Sequence, residues 1–284
     1  MNKQGKQRQI DPSKGSGSEI YIWDHSSHDE FYNYYAKESQ SEETFRRFRT
    51  IRDCILGVIK KNELQTHSLD IADIGCGAGT QCMIWAELDH HVHGLDVNEP
   101  LLKLARERAS EAGYGIDYRV GSAVDIPWAD SSMDVCLVLE LIEHVADWET
   151  CLHQCIRILK PGGILFLTTT NKLCPFQEEF NLPLYSWYPA RLKRFFERIA
   201  TTTHPELVNY AKYPAVNWFH FFRLHSVLQT HGFQCFDRFD IMDLSEKDNL
   251  RKVIGSLIRA VFLCRWFAYF FAPSTTILAI KGKK

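Results

Sequence analysis

The chain has 284 residues, 45% of them hydrophobic and 24% charged, which is the make-up of one large globular domain or two modest ones and excludes a fibrous or low-complexity protein. A formal net charge of −2 gives no overall pull toward nucleic acid, so no nucleic-acid partner is expected. Nine scattered cysteines, odd in number and without C-x-x-C spacing, exclude a disulfide framework and a zinc site, and point to reduced thiols in a cytoplasmic setting.

Residues 1–19 are polar and lack the apolar stretch of a cleaved leader, so they read as a disordered tail ahead of a single domain over 20–284. Glu30–Lys61 follows with helical periodicity, carried by Phe45, Phe48, Ile51, Ile55 and Ile59. A strict alternation comes next. Strand Ser68–Ile74 leads to helix Thr80–Leu88, strand His91–Asp96 to helix Glu99–Ala112, and a third strand covers Ile116–Val120. Met133–Leu139 is a near-continuous apolar run, as expected of a strand buried on both faces. Trp148–Leu159 is helical, and Ile164–Thr169 is the fifth strand. Strands alternating with helices at this spacing predict a doubly wound α/β sheet, mostly parallel and seven-stranded once the C-terminal strands are added.

The alternation breaks after Asn171. The aromatic-rich stretch 173–222 reads as an insertion, either a cap over an acceptor or a small core of its own. Helix Leu224–His231 and strand Phe233–Ile241 resume the sheet, an apolar insertion covers 243–273, and Ser274–Ile280 is the closing strand. Within that second insertion, Val253–Ala272 has the length of a membrane-spanning helix. Arg259 and Arg265 inside it, each unfavourable by roughly 2.5–3.5 kcal/mol at mid-bilayer, argue against a span. Two readings stay open: a helix lying in a membrane interface, or one packed on the sheet edge or against a second copy in a homodimer.

The glycines of Asp73-Ile74-Gly75-Cys76-Gly77-Ala78-Gly79-Thr80 are spaced G-x-G-x-G. The dinucleotide fingerprint needs its third glycine one residue later, and no Gly-Lys-Ser/Thr follows to make a phosphate loop. The carboxylate of Asp73 would repel a pyrophosphate but favours a ligand with an ammonium group. Asp96, ending the second strand, can accept both hydroxyls of a ribose. A ribose joined to a cationic amino acid, without phosphate, describes S-adenosylmethionine.

The glycine loop, Gly94-Leu95-Asp96-Val97-Asn98, the stretch Val120–Trp128 and Leu159-Lys160-Pro161-Gly162-Gly163 together resemble the class I S-adenosylmethionine-dependent methyltransferases. The resemblance implies that Gly75, Cys76, Gly77 and Gly79 pass the methionine end of the cofactor, beside Asp73. It places Asp96 and Val97 at the ribose, Ser122 and Ala123 beside the adenine, and Leu139 along the same seat. Many relatives carry Asp where this chain has Ser122.

Glu140-Leu141-Ile142-Glu143-His144 follows the fourth strand, where open α/β sheets bind ligands. If this stretch is helical, Glu140, Glu143 and His144 share one face and suit Mg²⁺ or a similar cation. The E-x-x-E-H pattern resembles the ubiquinone-biosynthesis O-methyltransferases and the small-RNA 3′-terminal 2′-O-methyltransferases. It implies either a metal site at Glu140, Glu143 and His144, or catalysis by His144 and Glu143 as bases. The acceptor expected on this reading is a hydroxyl of a phenolic or quinol-like lipophilic small molecule, the alternatives being 2′-O-methylation of an RNA 3′ end or S-adenosylmethionine binding without turnover. The quinone-type enzymes carry His-Asp-Trp before their last sheet helix. Here the stretch is Val216-Asn217-Trp218, leaving His220 and His225 as the nearby imidazoles.

Overall fold

A computed structural model of the chain describes residues 36–62, 68–177, 179–200, 202–208, 215–242 and 248–283. The tail expected over 1–19 and residues 30–35 of the expected opening helix lie outside the described residues. Helix α1 (Glu42–Lys61) begins at Ser41, whose hydroxyl accepts a hydrogen bond from the Thr44 amide (3.1 Å). Glu42 and Glu43 in its first turn and Lys60 and Lys61 in its last complement the helix dipole.

The strands are β1 (Asp70–Ile74), β2 (His91–Asp96), β3 (Asp117–Val120), β4 (Met133–Leu139), β5 (Leu159–Thr170), β6 (Phe233–Asp237) and β7 (Ser274–Lys281). They form one seven-stranded sheet in the order β3-β2-β1-β4-β5-β7-β6. β1 to β5 pair in parallel, while β7 runs antiparallel to both β5 and β6. Helices α2 (Thr80–Ala86) and α3 (Glu99–Glu111) share one face of the sheet with α1, around Ile55, Trp85, Leu102 and Phe166. Helices α4 (Trp148–Ile158) and α6 (Phe221–Thr230) cover the other, around Leu152, Leu224, Leu228 and Leu167. Both layers bury the sheet, which explains why β4 reads as a near-continuous apolar run.

Three expectations are corrected. β5 begins at Leu159 and continues through Pro161, Gly162 and Gly163, with a register shift against β4 between Met133 and Val135. β6 ends at Asp237, because that side chain caps a four-residue helix, α7 (Arg238–Ile241), in a reciprocal capping box with Asp240. The apolar segment near the C-terminus is two helices, α8 (Asn249–Ala260) and α9 (Phe262–Ala268), bent by 112° at a break near Val261. No single helix among the described residues is long and apolar enough to cross a membrane.

Insertion 173–222 contributes α5 (Ala190–Ala200) and a small cluster of its own. Phe180 stacks on Tyr185 with ring centroids 3.8 Å apart, and Tyr188, Phe196 and Trp218 complete the group. Phe219 and Phe221 instead join the main core. Of the aromatic side chains expected to line a cap, Phe176 and Trp187 stay exposed.

Candidate active site

The chain leaves β1 toward β2 and β3, then crosses back to β4. The carboxyl ends of β1 and β4 therefore open a crevice where the strand order reverses. The glycine turn occupies the β1 side. Gly75, Gly77 and Gly79 all adopt left-handed backbone, with φ of 78°, 51° and 76°. At Gly79 a Cβ would lie 2.3 Å from the Tyr118 hydroxyl and 2.8 Å from Ala105, so only glycine fits against α3 and β3. At Gly77 a Cβ would meet nothing within 4 Å; that position faces open space and lets a ligand approach the backbone.

Asp96 ties this turn to β2. Its carboxylate accepts from the amides of Gly77 (2.8 Å) and Asn98 (2.8 Å). Burial raises its pKa, and those backbone donors oppose the rise. Asn98 caps α3 by accepting from the Leu101 amide (3.1 Å), while Val97 beside it is partly exposed. Asp73 lies buried under the loop, receiving the Cys82 thiol at 3.3 Å. Burial pushes its pKa up to about 7, with the Asp96 charge adding to the rise. Cys76 turns its sulfur toward Gly94, and burial raises its thiol to about 11; it offers a ligand only backbone. One strand over, Gly121 donates to the Asp96 carbonyl (3.0 Å), which holds Ser122 and Ala123 next to β2. The Ser122 hydroxyl accepts from Val124 (3.4 Å). Leu139 is half-buried at the end of β4.

On the β4 side the expected helix over Glu140–His144 is absent. Glu140 adopts a left-handed φ of 51°, and the residues after it form turns. Its carboxylate reaches outward to Arg47 of α1 (2.8 Å), both side chains about half exposed. The expected triad is therefore corrected: Glu140 does not join Glu143 and His144. Glu179, from the insertion, takes its place, and one ligand atom each from Glu143, His144 and Glu179 lies within 4.8 Å of the others. His144 Nε2 is 3.9 Å from Glu179 Oε2.

Glu143 is fully buried. Thr169 donates to its Oε2 at 2.9 Å, while Oε1 has no hydrogen-bond partner among the described residues. Burial pushes its pKa up to about 8, helped by the charges of Glu179 and Glu140. Its backbone carbonyl accepts from the amides of Val216 (2.9 Å) and Asn217 (3.0 Å). The Asn217 side chain donates to the carbonyls of Ile142 (3.3 Å) and Val145 (2.7 Å). Asparagine thus ties the turn together where the resembled enzymes carry a different residue. His220 does not replace a missing imidazole, because its Nδ1 caps α6 by accepting from Arg223 (3.2 Å). His225 packs on the Phe221 ring. Glu179 and Arg47 escape a reading of the sequence, since neither lies in a motif or shares a period with its partners.

The two halves of the crevice touch. A Cβ on Gly75 would lie 3.0 Å from Leu141 Cδ1, so the acid–imidazole turn packs directly on the glycine turn. Glu140, Glu143 and Glu179 also line a cleft of about 2630 Å³. Its floor is the β5-β7-β6 face, with Phe166, Thr168, Thr276 and Phe236, and its walls come from α1 and α9.

A family model described as a methyltransferase domain matches residues 72–167. Residues 72–167 thus match a methyltransferase domain, and the seven-stranded sheet that holds them has the Rossmann-like methyltransferase fold. This domain is 45% identical over 105 residues to a ubiquinone biosynthesis O-methyltransferase of Maricaulis maris, covering 37% of this chain and 41% of that protein. It is 35% identical over 129 residues to the protein of that name from Sinorhizobium medicae, covering 44% of this chain and 52% of the relative. The alignments thus span about half or less of the curated relatives. A putative sarcosine dimethylglycine methyltransferase from Galdieria sulphuraria shares the fold over 84% of each chain, with a TM-score of 0.51 and 17% identity.

The methyltransferase domain fits its methyl donor at two points of this structure. The open space at Gly77 admits a ligand against the loop backbone. The Asp96 carboxylate, held by two amides at the end of β2, retains lone pairs for a pair of hydroxyls.

Proposed function

We propose that the protein transfers a methyl group from S-adenosylmethionine to an acceptor oxygen, the hydroxyl of a phenolic or quinol-like lipophilic small molecule. The contact between Leu141 and Gly75 carries this reading, because it sets the Glu143–His144–Glu179 cluster beside the donor's seat. The names of the relatives, ubiquinone biosynthesis O-methyltransferases, support an oxygen acceptor of quinol type.

S-adenosylmethionine supplies an activated methyl group on a sulfonium that leaves as a neutral sulfide. The protein's task is alignment and deprotonation. A phenol with a pKa near 10 needs its proton taken as the methyl arrives. Glu143 and His144 are placed to receive it, with Thr169 fixing the Glu143 carboxylate. The buried Oε1 of Glu143 and the grouping with His144 and Glu179 also suit a divalent cation such as Mg²⁺. Bound there, a cation would polarise the acceptor oxygen and gather a vicinal pair. Incubation with the methyl donor and catechol should give the mono-O-methylated product. Absence of product from protein that binds S-adenosylhomocysteine would sink the oxygen-acceptor reading. Turnover unchanged by EDTA would remove the cation while leaving the bases.

The same reading includes peripheral contact with a membrane through 253–272. Arg259 and Arg265 are both spent inward: Arg259 donates to the Phe239 carbonyl (2.7 Å), and Arg265 holds Asp237 (2.7 Å) and Asp240. α8, α9 and the turn after them leave large apolar side chains outside, with Phe271 78%, Leu250 69% and Phe262 69% exposed. Arg251 and Lys252 stand exposed in the first turn of α8, and no acidic residue follows Asp248. Charge and apolar surface together match an anionic lipid interface. The protein should float with vesicles containing phosphatidylglycerol, and Leu263→Asp with Phe271→Asp should abolish flotation. Failure to float, or a dimer that these changes dissociate, would count against the lipid surface.

A further inference from the structure

One buried side chain beside the glycine turn has no polar partner in the fold. Gln81, the second residue of α2, is 2% exposed, and neither its amide nitrogen nor its amide oxygen has a hydrogen-bond partner among the described residues. Buried amides are ordinarily paired at both atoms, because burying them unpaired is unfavourable. Asn171, equally buried, follows that rule. Its nitrogen donates to the Tyr269 and Ala272 carbonyls (both 2.8 Å), and its oxygen accepts from the Leu173 amide (3.0 Å). Gln81 is the exception, and its amide calls for a ligand.

Side chains in a helix lean back toward its N-terminus, so Gln81, in the first turn of α2, stands over the Gly75–Gly79 turn that precedes it. Trp85, one turn further along the same side of α2, joins the core that holds Ile51 and Ile55 of α1. Gln81 therefore sits at the end of that core nearest the glycines. Cys82, the next residue, reaches Asp73 Oδ2 (3.3 Å) under the loop. The segment 36–41 is tied down over this turn of α2. Thr80 donates to the Ser39 carbonyl (2.8 Å), and Arg108 donates to the Ser39 hydroxyl (2.9 Å) and the Ala36 carbonyl (2.8 Å). The Gln81 amide is thus shielded from water, beside the loop expected to pass the methionine end of the donor. That end is a zwitterion, with a carboxylate that accepts hydrogen bonds and an ammonium that donates them, and a primary amide offers one group of each kind. We infer that Gln81 binds the amino-acid end of S-adenosylmethionine, its Nε2 donating to the carboxylate and its Oε1 accepting from the ammonium. This contact serves the donor whichever acceptor receives the methyl group.

Calorimetry on the full chain with two probes tests this. S-adenosylhomocysteine carries the amino-acid end, whereas 5′-methylthioadenosine shares its nucleoside and thioether but lacks that end. Gln81→Leu should weaken S-adenosylhomocysteine by about 10- to 100-fold, as loss of charge-assisted hydrogen bonds implies, and change 5′-methylthioadenosine by less than about threefold. Removing an unpaired buried amide should at the same time raise the melting temperature of the ligand-free protein by about 2–4 °C. Gln81→Met, closer in volume, should behave alike and decides the matter if the Leu variant fails to fold. Equal losses for both probes, or full affinity for S-adenosylhomocysteine in the variants, overturns the proposal. So does a lower ligand-free melting temperature with binding unchanged, which would assign the Gln81 amide to an internal water. No binding of S-adenosylhomocysteine by the folded, unaltered protein would remove the donor itself, and this contact with it.

Discussion

Asp96→Ala should reduce affinity for S-adenosylhomocysteine by roughly 30- to 1000-fold by calorimetry, corresponding to about 2–4 kcal/mol for a lost charge-assisted double contact. Two effects add. The ribose loses its acceptor, and the amides of Gly77 and Asn98 lose theirs, so the glycine turn slackens where it must stay open. Asp96→Asn separates them, since an amide oxygen still accepts one of those amides but cannot take both hydroxyls; an affinity equal to that of the unaltered protein would show that Asp96 serves the loop alone. The same pocket sets a pH slope in the unliganded protein. Asp73 titrates near 7 in the fold, against about 4 in an unfolded chain. Between those values the folded state binds the extra proton, so the contribution of Asp73 to stability is greatest below about pH 4 and falls as pH rises toward 7. Asp73→Asn removes that dependence and should raise stability at pH 8 by on the order of a few kcal/mol, read as a flatter profile of denaturation midpoint against pH.

How far the sequence shows these features depends on how local each one is. The turn at Gly75–Gly79 is legible because its three left-handed backbones, and the close approach at Gly79, are demands that glycine alone meets. The strands are legible because helices cover both faces of the sheet and leave nearly unbroken apolar runs, as in β4. Glu140 misleads because E-x-x-E-H has helical spacing, whereas the exit from β4 turns left-handed and sends Glu140 to Arg47. Glu179 is invisible: it reaches the cluster from an insertion whose aromatics pack among themselves, with no period to reveal which side faces the crevice. Arg259 and Arg265 show the same limit from the other side. In sequence they interrupt an apolar run, and in the fold they anchor it to Asp237, Asp240 and backbone carbonyls, leaving the apolar face outward.

Glu143→Gln should lower kcat by about 10²–10⁴, the range for removing a positioned general base or ligand, with affinity for S-adenosylhomocysteine changed less than threefold. The separation follows from how the residue is held. Its backbone carbonyl, not its carboxylate, secures Val216 and Asn217, so the turn against Gly75 survives the change. A fall in cofactor affinity matching the fall in kcat would mean that Glu143 supports the fold, not the chemistry. Asn217→Ala provides the contrast. It removes the ties to Ile142 and Val145 while leaving every acid in place. A positioning role predicts a smaller loss, about 10-fold in kcat, with the pH profile unshifted and partial rescue by Asn217→Ser, whose shorter side chain reaches at most one of the two carbonyls. Glu179 decides between the two chemistries. If His144 and Glu143 act as bases, Glu179→Ala removes a carboxylate 3.9 Å from His144 and should cost less than about 10-fold. If the three side chains hold a cation, Glu143→Gln, His144→Ala and Glu179→Ala should each abolish dependence on added Mg²⁺ and fall to a similar residual rate, because a site of three ligands fails when any one is lost.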